Sequence, residues 1–409
     1  MRIPRREFLG MLAASGAAGA LSQSLHAQAS LPASSSARAA AAARRGDPWL
    51  EISKANLVWN FRQIQSRVGG KPVMAVIKAN GYGHGLVGVA RVLEAAGAKH
   101  FMVGKLDEAL DLRNAGVRAR ILNFGPWSDA DAAEIIRLGI SQNVYTDQVR
   151  ALDVAARRSG RHARVHIKVD TGLGRFGIPH DRAFDFLEQV AALRSVAIEG
   201  VFTTFTEDPE FDAVQLSRLK EICARATHRG LSIGLRHAAS SDAICEFPAA
   251  YTELDMVRPG IMLYGLFPSA HAEKERKLDL KPALSLKARV AYVKTLRPGE
   301  SVSYHRAFTA SQPERIATLA AGYSDGFPRT LAGKGAVLIS GRRCPILAIS
   351  ANAIIVRLGD TPAAIGDEVV LLGSQGDASI SASEVADLTA ASVYNVVIGM
   401  SGLLPQVFV

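Results

Sequence analysis

Only three cysteines, Cys223, Cys245 and Cys344, occur in 409 residues. Their wide spacing argues against a disulfide framework and against a thiolate metal site, so three buried thiols and no metal are expected. No stripe of Lys and Arg interleaved with aromatics occurs, which sets aside nucleic-acid binding. The net charge of +10, of which the first 29 residues carry +2, is expected to form a solvated basic surface. No apolar run reaches the ~20 residues of a membrane span, so no stable membrane association is expected.

Hydrophobic residues make up 48% of the chain, enough for one large domain and one smaller one. Residues 1–29 read as an export signal. "RREFLG" carries twin arginines, Arg5 and Arg6, a weakly apolar run extends to Leu21, and "AQA" at Ala27–Ala29 offers small residues for cleavage. The pattern resembles a Tat signal, which implies a periplasmic protein exported folded. Residues 30–46, "SLPASSSARAAAAARRG", have no apolar stripe and read as a disordered linker.

From there short apolar runs alternate with amphipathic stretches. "VMAVIK", "HFMVG", "RILNFG", "SQNVYT", "RVHIKVD", "IEGVFTTF", "LRHAAS" and "LDMVRPG" are eight strand candidates. The stretches between them repeat apolar residues at three and four. Eight such alternations predict an α/β fold, a parallel (β/α)8 TIM-type barrel, over residues 47–280. An open doubly wound sheet is the alternative. After Lys281 the texture becomes β-rich and broken by Gly, Pro and Asp, which predicts a mainly β C-terminal domain over residues 281–409. Within it "SASEVADLTA" predicts one helix, with Ser381 as N-cap and Glu384 three residues on.

A barrel places its chemistry at the C-terminal ends of its strands. "AVIKANGYGHG" ends the first strand in Lys78, followed by Tyr82 among glycines; Arg175 follows the fifth strand, Ser240 and Ser241 the seventh, and Arg258 with Gly260 and Ile261 the eighth. One lysine, small hydroxyl residues and backbone N–H groups at one mouth suit a phosphorylated aldehyde cofactor. Lys78 would form the Schiff base, and Ser241, Tyr82 and the amides of Gly260 and Ile261 would hold the phosphate.

"AVIKANGYGHG", "KVDTGLGRFG", "HAASSDA", "MVRPGIMLYG", "GESVSYHRAF" and "LAAGYSDGFPR" together resemble the alanine racemase family, from about Pro48 to Val409. The resemblance implies pyridoxal 5'-phosphate as cofactor and a homodimer with shared active sites. It implies Lys78 and Tyr304 as the two acid/base groups, Tyr304 acting in the partner's site. It further implies Arg258 at the pyridine nitrogen, Arg175 at the phenolic oxygen and the substrate carboxylate, a carbamylated Lys168, and Tyr323 in the entry channel. Two groups near pKa 10, lowered by neighbouring cations or desolvation, suit removal of the Cα proton from one face and its return on the other.

Four positions depart from the family pattern. Thr204 stands for a histidine expected behind Arg258. Ser350-Ala351-Asn352 stands for a methionine-containing turn that faces the substrate carboxylate. Gly402 and Leu403 stand for a Tyr-Arg pair. The expected function is therefore an amino-acid racemase of broad or non-alanine specificity, with Ala351, Asn352, Tyr323, Gly402 and Arg175 as substrate contacts. A strict alanine racemase, a decarboxylase on the same barrel and a non-catalytic periplasmic binder are the alternatives.

Overall fold

The computed structural model describes residues 47–409; the expected signal and linker lie outside them. Strands β2 (Met74–Val76), β3 (His100–Val103), β4 (Arg120–Asn123), β5 (Ser141–Val144), β6 (Ala163–Asp170), β8 (Val196–Phe202) and β9 (Leu235–His237) pair in parallel in that spatial order. A two-residue strand, β7 (Ile178–Pro179), adds to the end of β6. The eighth position is filled by single bridges. Met256 bridges to His237, and Val257 bridges to Val73 while accepting from the Met74 amide at 2.9 Å. The barrel thus closes on itself. Its eighth segment is short because Pro259 removes the next donor, although the Pro259 carbonyl still accepts from the Val76 amide at 2.9 Å.

The expected amphipathic stretches are helices, among them Leu86–Ala95, Leu106–Asn114 and Pro209–His228. The longest starts as its sequence dictates: Asp208 accepts from the Phe211 amide at 3.1 Å, with Pro209 at the first helical position.

The C-terminal domain is a closed antiparallel barrel. β10 (Leu284–Leu296) pairs with β13 (Glu314–Leu319), followed by β16 (Ile354–Arg357), β15 (Arg342–Ile349), β14 (Ala336–Ile339) and β17 (Glu368–Gln375), which returns to β10. A small hairpin, β11 (Ser301–Val302) with β12 (Phe308–Thr309), projects from it, and β18 (Ala378–Ile380) extends β17. The predicted helix is Ala382–Thr389, with the Ser381 hydroxyl accepting from the Glu384 amide. A further helix, Val393–Ile398, follows it.

One expectation needs correction. β1 (Trp49–Ile52) lies within the span read as the barrel, yet it pairs antiparallel with β10 and parallel with the last strand, β19 (Gln406–Phe408). Both chain ends of the described region thus belong to the β-domain sheet. The three cysteines are free and buried. Among the described residues no helix is long and apolar enough to cross a membrane, and no cluster could hold a metal ion.

Candidate active site

The lysine loop has unusual backbone. Ala79 (φ 55°), Asn80 (φ 54°), Gly81 (φ 62°) and Tyr82 (φ 51°) form one left-handed turn directly after Lys78. Each non-glycine residue there costs ~1–2 kcal/mol. The surroundings over-determine the turn. The Glu108 carboxylate accepts from the Asn80 amide at 3.0 Å, and from Gly104 and Lys105 at 2.9 and 3.2 Å. The Asn80 side chain accepts from the Leu86 amide at 2.9 Å. Gly104 lets the chain pass close to the lysine, since a Cβ there would sit 3.3 Å from the Lys78 Cβ.

Lys78 is half-buried, and burial lowers its pKa first; Arg175 lowers it further and Glu108 opposes both. Lys168 lies close by. Its ammonium and that of Lys78 each sit 5.8 Å from the Phe124 ring centre. Lys168 is buried, donates to the Thr204 hydroxyl at 2.9 Å, and is brought down to about 7 by burial and by Arg258 and Arg175. Arg175 itself is exposed, in the loop after β6 that Asp170 closes by accepting from the Gly172 and Gly174 amides.

Arg258 is buried and held on three sides. It donates to His237 Nδ1 at 2.8 Å and to the carbonyls of Thr203 and Ala238 at 2.7 and 3.1 Å. Its guanidinium lies 5.1 Å from the Phe202 ring centre, and burial brings its pKa down to about 9. Here the sequence expectation is corrected. The histidine behind Arg258 comes from the seventh barrel strand, while position 204 faces Lys168. Threonine at 204 therefore leaves the support of the arginine intact.

Beside Arg258 lies a cradle of donors. The amides of Gly260 and Met262 converge on the Ser241 Oγ at 2.9 and 3.4 Å. The Tyr82 hydroxyl lies against Gly260, where a Cβ would overlap it. Tyr82 is buried, its ring centre lies 5.0 Å from that of Tyr264 with the planes tilted by 32°, and burial pushes it well above the ordinary phenol range, so it is a hydrogen-bonding hydroxyl and not a base. Ser240 caps the short helix Ser241–Glu246, and Ile261 opens the turn Ile261–Tyr264, wholly buried. Converging amides and hydroxyls suit a phosphate dianion. A lysine of lowered pKa beside them suits an aldehyde. The residues present fit pyridoxal phosphate.

The β-domain supplies a second group. The Tyr323 amide donates to the Ser350 carbonyl at 3.1 Å, and Ser324 donates to the Ala351 carbonyl from its amide at 2.9 Å and its hydroxyl at 2.6 Å. The Ser401 amide donates to the Asp325 carbonyl at 3.1 Å. Tyr323, Ala351, Asn352 and the Gly402 segment are thus gathered into one surface. A Cβ on Gly402 would meet nothing within 4 Å. Tyr304 lies on the turn joining β11 to β12, is 79% exposed, and has no side-chain partner among the described residues.

Sequence reasoning missed several residues. Glu108, Phe124, His237 and Tyr394, whose ring lies 6.1 Å from Tyr82, all shape the site. Only His237 left a signal, a histidine at the end of a strand just before the serines.

Residues 52–268 match the family model described as "Alanine racemase, N-terminal domain", and residues 283–408 match "Alanine racemase, C-terminal domain". An alanine racemase of Desulforamulus reducens is 37% identical over 370 residues, 88% of this chain and 98% of that one. The crystal structure of an alanine racemase from Streptomyces lavendulae superimposes with a TM-score of 0.83 at 32% identity, covering 89% of this chain and 97% of that one. A histidine racemase from Leuconostoc mesenteroides subsp. sake superimposes with a TM-score of 0.80 at 28% identity, covering 88% and 98%. With both domains matched in order and a site fitted to the cofactor, the chain belongs to the alanine racemase family, the pyridoxal-phosphate-dependent amino-acid racemases.

Proposed function

We propose that this enzyme racemises amino acids with side chains longer than alanine's, as a homodimer whose two sites each take Lys78 from one chain and Tyr304 from the other. When bound, pyridoxal phosphate makes the substrate Cα–H acidic enough to be removed. Lys78 and Tyr304 move that proton, one on each face of Cα, so that removal by one and return by the other inverts the centre. The lowered pKa of Lys78 brings its neutral, proton-accepting form nearer working pH. Ser241, Tyr82 and the amides of Gly260 and Ile261 hold the phosphate. Arg258, fixed by three acceptors, would donate to the ring nitrogen, and a cation there disfavours protonation of that nitrogen. Arg175 takes the substrate carboxylate. Lys168, buried and with much of its amine neutral near pH 7, is the group that takes up carbon dioxide as a carbamate.

The observation that carries the shared site is Tyr304. It is exposed and has no side-chain partner among the described residues, on a turn whose backbone is strained. The observation that carries the wider pocket is the open space around Gly402. Basic side chains are favoured by an acidic rim. Glu207 follows β8 and Asp242 follows β9, and burial followed by repulsion from Glu207 pushes the Asp242 carboxyl to about 6. The names of the relatives favour a second reading, strict alanine specificity. Incubation with single L-amino acids followed by chiral separation decides. Lysine, arginine, methionine or glutamine should be converted at least as fast as alanine; conversion of alanine alone would reject the wider pocket. The twin-arginine segment places the enzyme in the periplasm in this proposal, and changing Arg5 and Arg6 to lysine should leave it cytoplasmic with cofactor bound.

A further inference from the structure

We infer that Glu199, at the N-terminal mouth of the barrel, is a positioning residue for Arg258, acting through an electrostatic contact with His166 and two one-way hydrogen bonds across the barrel interior. The direction follows from Arg258, since a guanidinium only donates. His237 Nδ1, 2.8 Å from Arg258, must therefore present its lone pair. Its proton is then on Nε2, which lies 2.9 Å from His166 Nδ1. His166 accepts there and carries its own proton on Nε2. That nitrogen lies 3.9 Å from Glu199 Oε2, the same oxygen that accepts from Ser141 Oγ at 2.6 Å. The other oxygen pairs with Arg120, and Arg164 lies 3.6 Å from it.

Glu199 is placed for this by the backbone. The β6–β8 ladder pairs Val165 with Ile198 and His166 with Gly200, so Glu199 is the extra residue of a bulge. A bulge re-aims a side chain that regular alternation would send elsewhere. Both imidazoles are buried and neutral: burial, then surrounding cations (His100, Arg258 and Arg120 for His166; Arg258 first for His237), holds His166 at about 3 and His237 well below its ordinary value.

The carboxylate supplies the end point. Without it the His166 Nε2–H faces the cavity with no anion beside it. Reversing both tautomers would relieve that, but it would aim an N–H of His237 at Arg258. The bond that orients the guanidinium would then be lost. The negative charge of Glu199 therefore biases the chain toward the arrangement in which Arg258 keeps its acceptor. The consequence for catalysis rests on the reading of Arg258 as the ring-nitrogen partner; the tautomer assignment does not.

The test uses holoenzyme carrying 15N-labelled histidine. In the parent, His166 and His237 should each show a single Nε2–H tautomer in two-bond 15N–1H correlation spectra. Glu199→Ala should turn these into mixtures, shift the visible absorption of the bound cofactor, and lower kcat about tenfold, ~1.4 kcal/mol of barrier, with KM little changed. Glu199 lines a cavity of about 310 Å3 together with His166, Ser141 and Arg120. Added acetate should therefore restore both spectra, and Glu199→Asp should largely preserve them. If Glu199→Ala does not fold, Ser141→Ala frees the same carboxylate oxygen and should give a smaller change of the same kind. Unchanged tautomers in the folded variant would overturn the inference, whatever happens to activity. Changed tautomers with unchanged cofactor absorption would instead overturn the assignment of Arg258 to the ring nitrogen.

Discussion

Two loops carry the two groups proposed to transfer the proton, and both are strained. The Lys78 loop holds Ala79, Asn80 and Tyr82 at positive φ; the Tyr304 loop holds Ser303 (63°), His305 (58°) and Arg306 (54°) there. Strain of this kind persists only where the surroundings over-determine it. For the first loop those surroundings lie in the same chain: Glu108 accepts from three amides around it and Tyr82 is buried against Tyr264. The second has little of its own. Arg306 donates to Ser301 Oγ at 3.1 Å and to the Gly299 carbonyl at 3.0 Å, while Tyr304 faces outward. One loop is held by its own chain; the other, in the proposed dimer, would be completed by the partner's surface. That difference is the physical case for a shared site.

The largest expected effects come from the two groups themselves. Lys78→Ala and Tyr304→Phe should each lower kcat by ~10²–10⁴ or more, measured by racemisation of the preferred substrate. Only Lys78→Ala should also abolish the borohydride-trapped cofactor adduct. If Tyr304→Phe retained near-parental activity, the exposed loop would have no part in the chemistry.

Stability should separate the loops next. Glu108→Ala leaves three amides around the lysine turn without their acceptor and should cost ~1–3 kcal/mol of unfolding free energy, read from denaturant midpoints. Arg306→Ala should stay within ~0.5 kcal/mol and weaken dimerisation instead, read by sedimentation. Equal losses of stability would break the comparison.

Gly402→Tyr sharpens it on the substrate side. It should reduce kcat/KM for lysine or methionine relative to alanine by ~1–3 kcal/mol of discrimination. Equal losses on all substrates would mean that position 402 does not face the side chain.

The smallest effect concerns Lys168. Its amine is held at about 7 in the fold, against ~10.4 when unfolded. Between those values the unfolded chain binds the extra proton. Stability of the apoenzyme, free of carbon dioxide, should therefore rise with pH from about 7 upward, by at most ~1.4 kcal/mol per pH unit. Lys168→Met should flatten that rise. A slope identical in both proteins would assign it to other groups.

Much of this was legible in the sequence, for a physical reason. Buried parallel strands read as apolar runs, and a barrel's chemistry gathers at their C-terminal ends, so Lys78, Arg175, Ser241 and Arg258 stood out by position. What stayed hidden depends on distant partners. β1 has four residues and pairs with β10, more than two hundred positions away, so no local pattern shows that it leaves the barrel. The left-handed turn after Lys78 uses Ala, Asn and Tyr, where glycine alone would have signalled positive φ. Thr204 was assigned to the wrong neighbour because the family pattern gives a place along the chain but not which side chain across the barrel meets it. The His166–His237 pair joins strands 71 residues apart.

The claim that one site needs two chains is tested most directly by mixing the two inactive variants. Lys78→Ala and Tyr304→Phe subunits, unfolded together and refolded, should form mixed dimers that each hold one site with both groups intact. If half of the dimers are mixed, activity should return to about a quarter of the parent's, with each variant refolded alone remaining inactive. Demonstrated mixed dimers with no recovered activity would contradict the account, because they would place Lys78 and its opposing base in the same chain.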